Sequence, residues 1–263
     1  MESSKFAVVL EKVAGNDFLL ISKIVAQTLK IPRFEASKVV SKSPGIPAEG
    51  LGKVEATALS GMLRENGIGS FVLSVEKMVK VPPPIQVRSA QITEGEIYFE
   101  KGIVIKKKEG WLVPWRNIVV LCCARVKIQS EEKVIKHPPL GKYLSSGDIV
   151  VNISGFRGPK VEIKTKTAWK NFFDIISVEP YNHFRIIGEE FNLLALGLTQ
   201  PTVFESLVAL IRNISSRCDI AYKDGSIHDI LDGDPLTNVR FASPEIYDNY
   251  IRWVLQVAFC RER

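Results

Sequence analysis

The segment VPPPIQV, residues 81–87, separates two kinds of sequence pattern and decides how the 263-residue chain is organised. Before it, amphipathic helices alternate with short strands. After it, apolar runs of strand length follow one another as far as residue 192. Three consecutive prolines favour a stiff, extended backbone. We therefore predict an α+β protein with a first domain over residues 1–80, a linker over 81–86 and a second domain over 87–263.

The first domain is predicted to be a small two-layer α/β sandwich of order β-α-α-β-α-β. Residues 6–13 alternate in hydrophobicity like a strand, and 68–76 do so again. Apolar residues at helical spacing predict helices over 18–29, 33–41 and 54–65. Pro32 separates the first two of these helices, and Asn66-Gly67 is a typical helix stop.

The second domain is predicted to be a larger antiparallel barrel or sandwich, rich in strands, with C-terminal helices. Turn residues at 100–102 and 108–110 divide its first strands. Further strands are predicted over 118–128, 149–154, 161–165, 172–178 and 183–191. A strong amphipathic pattern predicts a helix over 203–215, and a last helix runs from Pro244 to about Phe259. Between them, the aspartate-rich region 222–235 is predicted to form solvated turns.

Charge is distributed unevenly along the chain. The net charge of the whole chain is +6, and it divides into +3 for residues 1–80, +7 for 81–187 and −4 for 188–263. An anionic partner is therefore expected at the middle of the chain. Such a partner is a lipid headgroup, a nucleic acid or an acidic protein. A solvated strand edge protected by lysine is the alternative. The anion-binding candidates are Lys106, Lys107, Lys108, Lys160, Lys164 and Lys166.

The motifs of common enzymes are missing from the sequence. It has no Gly-x-Ser-x-Gly nucleophile elbow and no phosphate-binding Gly-x-x-x-x-Gly-Lys-Ser/Thr. Its four cysteines form no Cys-x-x-Cys pair, and its three histidines have no metal-ligand spacing to them. Adjacent Cys122 and Cys123 lie on an apolar strand and should point to opposite faces. We expect no catalytic residue, no metal and no cofactor, with an enzyme whose site lies between the domains as the alternative.

The landmarks of the first 78 residues resemble the C-terminal domain of the bacterial large-subunit ribosomal stalk protein. They are the turn Ala14-Gly15-Asn16, the helix containing Glu35-Ala36-Ser37-Lys38, the Glu49-Gly50-Leu51 segment and the helix end Arg64-Glu65-Asn66-Gly67. In that family the first two helices present a basic, partly apolar surface to protein partners. The resemblance implies a protein-binding module here. Lys23 falls on a position where the family also carries a basic residue. Phe18 occupies a position where the family carries another basic residue of the same surface.

The segment Trp111 to Ile118, with Pro114-Trp115 followed by Ile118, is similar to a turn of bacterial pleckstrin-homology-like domains. The resemblance implies a strand-rich domain capped by the helix over 203–215. Trp115 is a candidate for protein binding, and so is Trp253 in the aromatic stripe of the last helix. For both tryptophans, packing inside their own domain is the alternative.

The N-terminus MESSK lacks the features of a signal peptide, and no apolar run approaches the ~20 residues of a membrane span. We therefore expect a cytoplasmic protein, and the two family resemblances imply a bacterial one. Together these patterns predict a non-catalytic binding or scaffold protein, in which the first domain recruits a protein and the second holds an anionic partner. A nucleic-acid-associated protein is a further alternative.

Overall fold

The computed structural model describes residues 4–13, 17–104, 107–136, 160–233 and 239–260. Its N-terminal part consists of β1 (Phe6–Leu10), α1 (Phe18–Leu29), α2 (Arg33–Lys42), β2 (Ala48–Leu51), α3 (Lys53–Glu65) and β3 (Ser70–Ser74). The strands form an antiparallel sheet of order β2-β1-β3. One face of this sheet packs against the three helices around a core that includes Val8, Val25 and Leu59.

The larger part contains one long and one short sheet. Its elements are β4 (Pro84–Val87), β5 (Ser89–Ile92), β6 (Glu96–Val104), β7 (Lys107–Pro114), β8 (Ile118–Lys136), β9 (Lys160–Val178), β10 (Tyr181–Ile187), α4 (Val203–Ser215), β11 (Tyr222–Lys223), α5 (Gly225–Asp232), β12 (Arg240–Phe241) and α6 (Pro244–Cys260). The short sheet has the order β5-β6-β7. The long one runs β11-β8-β9-β10-β4, with β12 also paired to β8.

The long sheet separates two apolar cores. Because successive strand residues point to opposite faces, Cys123 faces one core with α4, α5 and the short sheet, whereas Cys122 faces the other with α6. This second core also contains Ala7 and Val9 from the far side of the N-terminal sheet. Helix α6 therefore lies between the long sheet and the N-terminal sheet, and the N-terminal part packs onto the larger part through it.

Four polar contacts tie α6 to the N-terminal part and the segment that follows it. The Trp253 indole N–H donates to the Leu10 carbonyl at 2.7 Å, and the Asn249 amide donates to the Lys42 carbonyl at 2.8 Å. Arg252 forms a two-pronged ion pair with the Glu49 carboxylate. The Gln256 side chain both accepts from and donates to the Val79 backbone at 2.9 Å. These contacts leave α6 little freedom to move away from the N-terminal sheet.

The α+β class and the sheet-rich larger part with C-terminal helices are confirmed, and the predicted spans of α1 and α4 agree with the structure to the residue. The sequence left a barrel and a sandwich open as alternatives for the larger part. Within the described ranges no barrel closes. The main strand pairs of the larger part are antiparallel, as predicted. Three short pairs are parallel, since β4 pairs with β10, and β11 and β12 pair with β8.

Four local predictions need correction. The predicted turns at 100–102 and 108–110 lie inside β6 and β7, and Gly102 takes a φ of +104° beside a register shift in β6. The separate strands at 161–165 and 172–178 are one strand, β9. The aspartate-rich region was expected to be solvated turns, yet it contains α5 and the buried Asp224. Residues 84–86 of the predicted linker belong to β4, and the predicted strand 149–154 lies outside the described residues.

Within the ranges that the structure describes, no helix is both long enough and apolar enough to cross a membrane.

Candidate functional site

The lysine candidates lie on two different sheets. Lys107 and Lys108 are on β7 of the short sheet, and Lys160, Lys164 and Lys166 are on β9 of the long sheet. Lys106 lies outside the described residues, and Lys107, Lys108 and Lys160 are described through their backbone alone. Lys164 and Lys166 are exposed and, being two residues apart, share one face of β9.

Among the described residues, the stretch of β9 around Lys164 and Lys166 pairs with β8 alone and forms a two-stranded ribbon. Pairing with β8 continues without a break from Leu121↔Ile175 to Lys136↔Lys160. Residues 164–169 of β9 are exposed, whereas residues 172–177 of the same strand are buried. Residues 164–169 of β9 therefore lie outside the two cores and present their side chains to solvent.

The two tryptophan candidates are buried and hydrogen-bonded inside the molecule. The Trp115 indole N–H donates to the Glu94 carbonyl at 3.0 Å, and the Arg217 guanidinium lies 5.7 Å from its ring centroid. Trp253 is 5% exposed and packs on Tyr250 and the Gly45 turn. Neither ring is exposed on the surface to a protein partner, so neither belongs to a protein-binding surface.

Helices α1 and α2 pack against each other as a hairpin, and their outer faces combine lysine side chains with exposed apolar side chains. Large fractions of Phe34 (80%), Leu19 (66%) and Val39 (43%) are exposed, and Lys23, Lys38 and Lys42 are exposed beside them. We call these six residues the helical-hairpin surface. Of the predicted candidates, Lys23 belongs to it, whereas Phe18 is half-buried and turns toward a cavity.

This cavity of about 1150 Å³ lies between the N-terminal part and the C-terminal elements. One wall is formed by the end of β1, the start of α1 and the turn after α2. The other wall is formed by residues 219–229, β12 and α6. Its buried lining is largely apolar and includes Leu10, Phe241, Tyr250 and Trp253, each 8% exposed or less. The cavity could not be predicted from sequence patterns, because its walls come from residues 10–47 and 219–253, which are far apart in the chain.

Directly behind the cavity wall, the buried Asp224 carboxylate organises a hydrogen-bond network. It caps α5 by accepting the Ile227 backbone N–H at 3.0 Å, and it also accepts the hydroxyls of Ser226 and Tyr250. The Ser226 hydroxyl also lies 2.5 Å from the Cys123 carbonyl. Burial raises the pKa of Asp224 to about 7, although these donors act in the opposite direction. The network joins α5, α6 and β8 at one point.

A second buried polar cluster lies on the α6 side of β9 and β10. The Asp174 carboxylate accepts from the Arg185 guanidinium at 2.8 Å and pairs with the His183 ring, while Arg185 also donates to Asp248 on α6 at 2.7 Å. Burial alone would raise the pKa of Asp174, but the charge of Arg185 and the contact with His183 hold it below its usual value. Asp174 and His183 are at most 1% exposed, so this cluster joins α6 to the sheet and is closed to a substrate.

Weak signals for both clusters were present in the sequence. Asp174 interrupts the apolar run 172–176, and Arg185 interrupts 184–187, as expected of paired buried charges on neighbouring strands. Asp224 precedes apolar residues at helical spacing, Ile227 and Ile230, which is an N-cap pattern. Among the described residues, no group of three or more potential ligand residues is placed to hold a metal ion.

Comparison with known proteins identifies no relative: no protein-family model, curated protein or solved structure matches this chain. The resemblances to the ribosomal stalk domain and to pleckstrin-homology-like domains therefore stay predictions.

Proposed function

We propose that this protein is a non-catalytic binding or scaffold protein, and that its helical-hairpin surface recruits a protein partner. The observation that carries the proposal is the exposure of Phe34, Leu19 and Val39 on adjacent helices. Burying one such side chain at an interface contributes roughly 1.5–3 kcal/mol before the costs of association. Exposed apolar groups of this kind, surrounded by polar residues, are typical of interaction sites.

The charge of the same surface indicates what the partner carries. Lys23, Lys38 and Lys42 lie beside the apolar groups on the two helices. Lys30 and Arg33 add two positive charges at the turn that joins α1 to α2. Glu35 is the single acidic residue between positions 18 and 42. An acidic amphipathic segment complements this arrangement, because its apolar side covers Phe34 and its carboxylates meet the lysines. Such a contact is expected to form faster at low salt.

A photocrosslinking amino acid placed at residue 34 of the full chain tests this proposal. The same group at Val54, which is 83% exposed on α3, is the matched control. We expect one protein to be crosslinked from position 34 and not from position 54, with Lys38→Glu reducing the yield at least tenfold. Equal yields from both positions would contradict the proposal.

The β8–β9 ribbon supports a second binding function, for an anionic partner. Its exposed pair Lys164 and Lys166 stands on a two-stranded ribbon, and the major groove of DNA admits such a ribbon. Nucleic acid is therefore the first anion to test, before acidic protein and lipid headgroups. The ribbon also carries Glu162 and, on β8, Glu131 and Glu132, so binding is expected to be weak and sensitive to salt.

Fluorescence anisotropy with a labelled DNA duplex tests the ribbon. Lys164→Glu with Lys166→Glu should weaken binding at least tenfold and flatten its salt dependence. Lys53→Glu with Lys77→Glu, which makes the same charge change at the N-terminal part, should have a smaller effect. Polyglutamate and phosphatidylserine vesicles as competitors distinguish the other two anions. If neither double variant alters binding to any of the three probes, the proposal fails.

A further inference from the structure

The cavity between the N-terminal part and α6 is large enough for a ligand. Its volume of about 1150 Å³ slightly exceeds the ~300–1,000 Å³ typical of small-molecule sites. Its walls are held together by the four polar contacts of α6 with Leu10, Lys42, Glu49 and Val79. The cavity is therefore a preformed space of the fold.

The buried floor of the cavity presents ring carbon rather than polar atoms. The Trp253 N–H is used by the Leu10 carbonyl, and the Tyr250 hydroxyl is used by Asp224. Phe241 adds a third ring, with its centroid 5.0 Å from that of Tyr250. Because these polar atoms already have partners, the floor suits an apolar group.

The solvent-facing part of the lining carries charges of both signs. Lys12, Lys223 and Arg240 lie there together with Glu11, Asp219 and Asp229. Within the described ranges no ion pair joins an acid of this set to a base of it. An apolar floor below charges of both signs, with no ion pair among them in the described ranges, is complementary to a molecule with an apolar body and a head that carries both charges.

We propose that this cavity binds an amphipathic small molecule with an apolar body and a zwitterionic head. The apolar body covers Tyr250, Trp253 and Phe241. The ammonium of the head faces Asp219 and Asp229, and its acidic group faces Lys12 and Lys223. Binding at this site involves no covalent step and does not depend on the helical-hairpin surface, so the two proposals stand or fall separately.

Three probes that share one dodecyl chain test the body and the head separately. They are dodecylphosphocholine, dodecanoate and dodecyltrimethylammonium, each added to the full chain well below its micelle concentration. Titration calorimetry gives stoichiometry and affinity, and Trp253 at the floor gives a fluorescence signal. We expect dodecylphosphocholine to bind with one-to-one stoichiometry and at least tenfold more tightly than either singly charged probe.

Two tryptophan substitutions locate the binding. Ala242→Trp adds a large side chain on the cavity wall and should weaken dodecylphosphocholine binding at least tenfold. Ala58→Trp adds the same side chain on the exposed face of α3, away from the cavity, and should leave binding unchanged. Circular dichroism and thermal midpoints check that both variants fold.

A charge variant tests the head without adding bulk. Lys223→Gln with Asp229→Asn should remove most of the preference for the zwitterionic probe and keep the binding of its chain. The proposal is overturned if no probe binds with one-to-one stoichiometry, or if Ala242→Trp and Ala58→Trp bind equally. Equal affinity of the wild-type chain for the three probes overturns the assignment of the head.

Discussion

Two fully buried carboxylates, Asp174 and Asp224, belong to polar clusters that contact α6, and they have opposite electrostatics. Asp174 pairs with the cation Arg185, and its pKa lies below the usual 3.8. Among the described residues, the donors to Asp224 are neutral and come from Ser226, Tyr250 and the Ile227 backbone, and its pKa is about 7. Burial opposes ionisation at both sites, so the nearby cation decides the direction of the shift.

The difference shows that one helix is held to the sheet by two kinds of contact with different pH dependence. The Asp174 contact is ionic, and its stabilisation is present above pH 3.8 and is lost as the pH falls through the depressed pKa. Asp224 behaves in the reverse way. Because folding raises the pKa of the Asp224 carboxyl, its contribution to the free energy of unfolding is fully present below about pH 3.8 and is lost as the pH rises to about 7.

The largest expected effect comes from breaking the ionic contact. Arg185→Met should lower the free energy of unfolding by roughly 3–5 kcal/mol near pH 7, because it leaves the buried Asp174 without its cation. It also removes the guanidinium from the rings of Phe172 and Tyr247, 4.9 and 5.2 Å from their centroids. Urea denaturation measures the change.

Arg252→Met is the control on the same helix, since its partner Glu49 is about one-third exposed. Removal of a partly exposed pair should cost about 0–1 kcal/mol. Equal losses in the two variants would show that burial does not distinguish the ion pairs.

The next effect is a change in pH dependence. Ionising Asp224 in the folded protein costs roughly 4 kcal/mol, at 1.36 kcal/mol per pH unit between 3.8 and about 7. The wild-type free energy of unfolding should therefore fall between pH 4.5 and pH 7.5, and that of Asp224→Asn should fall much less. Urea midpoints at several pH values measure this, and parallel pH profiles for the two proteins would refute it.

The smallest effect sharpens the comparison within α6. Tyr250→Phe removes one donor from Asp224 and should cost about 1 kcal/mol while raising the pKa of Asp224 further. Tyr247→Phe, one turn earlier, is the comparison, because the Tyr247 hydroxyl acts on the other carboxylate and helps to lower the pKa of Asp174. Asp174 is ionised at both pH 6 and pH 8, so the loss for Tyr247→Phe should be the same at the two pH values. Thermal unfolding should show a greater loss for Tyr250→Phe at pH 8 than at pH 6, because Asp224 is ionised above about pH 7.

Sequence patterns predicted the elements whose cause is local. The helix over 203–215 has a broad apolar face and begins at Thr202, whose hydroxyl accepts the Glu205 N–H while Glu205 accepts the Thr202 N–H. Helix α1 is ended by Lys30 at a φ of 53° just before Pro32. Each of these signals lies within a few residues of the element that it controls, so the spans were predictable.

The pairing of strands was less predictable. The residues 100–102 have the composition of a turn, but they are held in β6 by β7, with Gly102 absorbing a register shift. The parallel pairing of β4 with β10 depends on residues about one hundred positions away. A turn-forming composition is a weak preference, and long-range pairing overrides it.

The amino-acid order alone determined the α+β class, the positions of the amphipathic helices and the opposite orientation of Cys122 and Cys123, because periodicity and local capping act over a few residues. Only tertiary packing decided that Asp224 is buried beside Tyr250, that α6 lies between two sheets and that a cavity opens beside Trp253. These features join segments separated by up to 243 residues. Their free energy depends on which surfaces exclude water together, and short-range patterns carry no information about that.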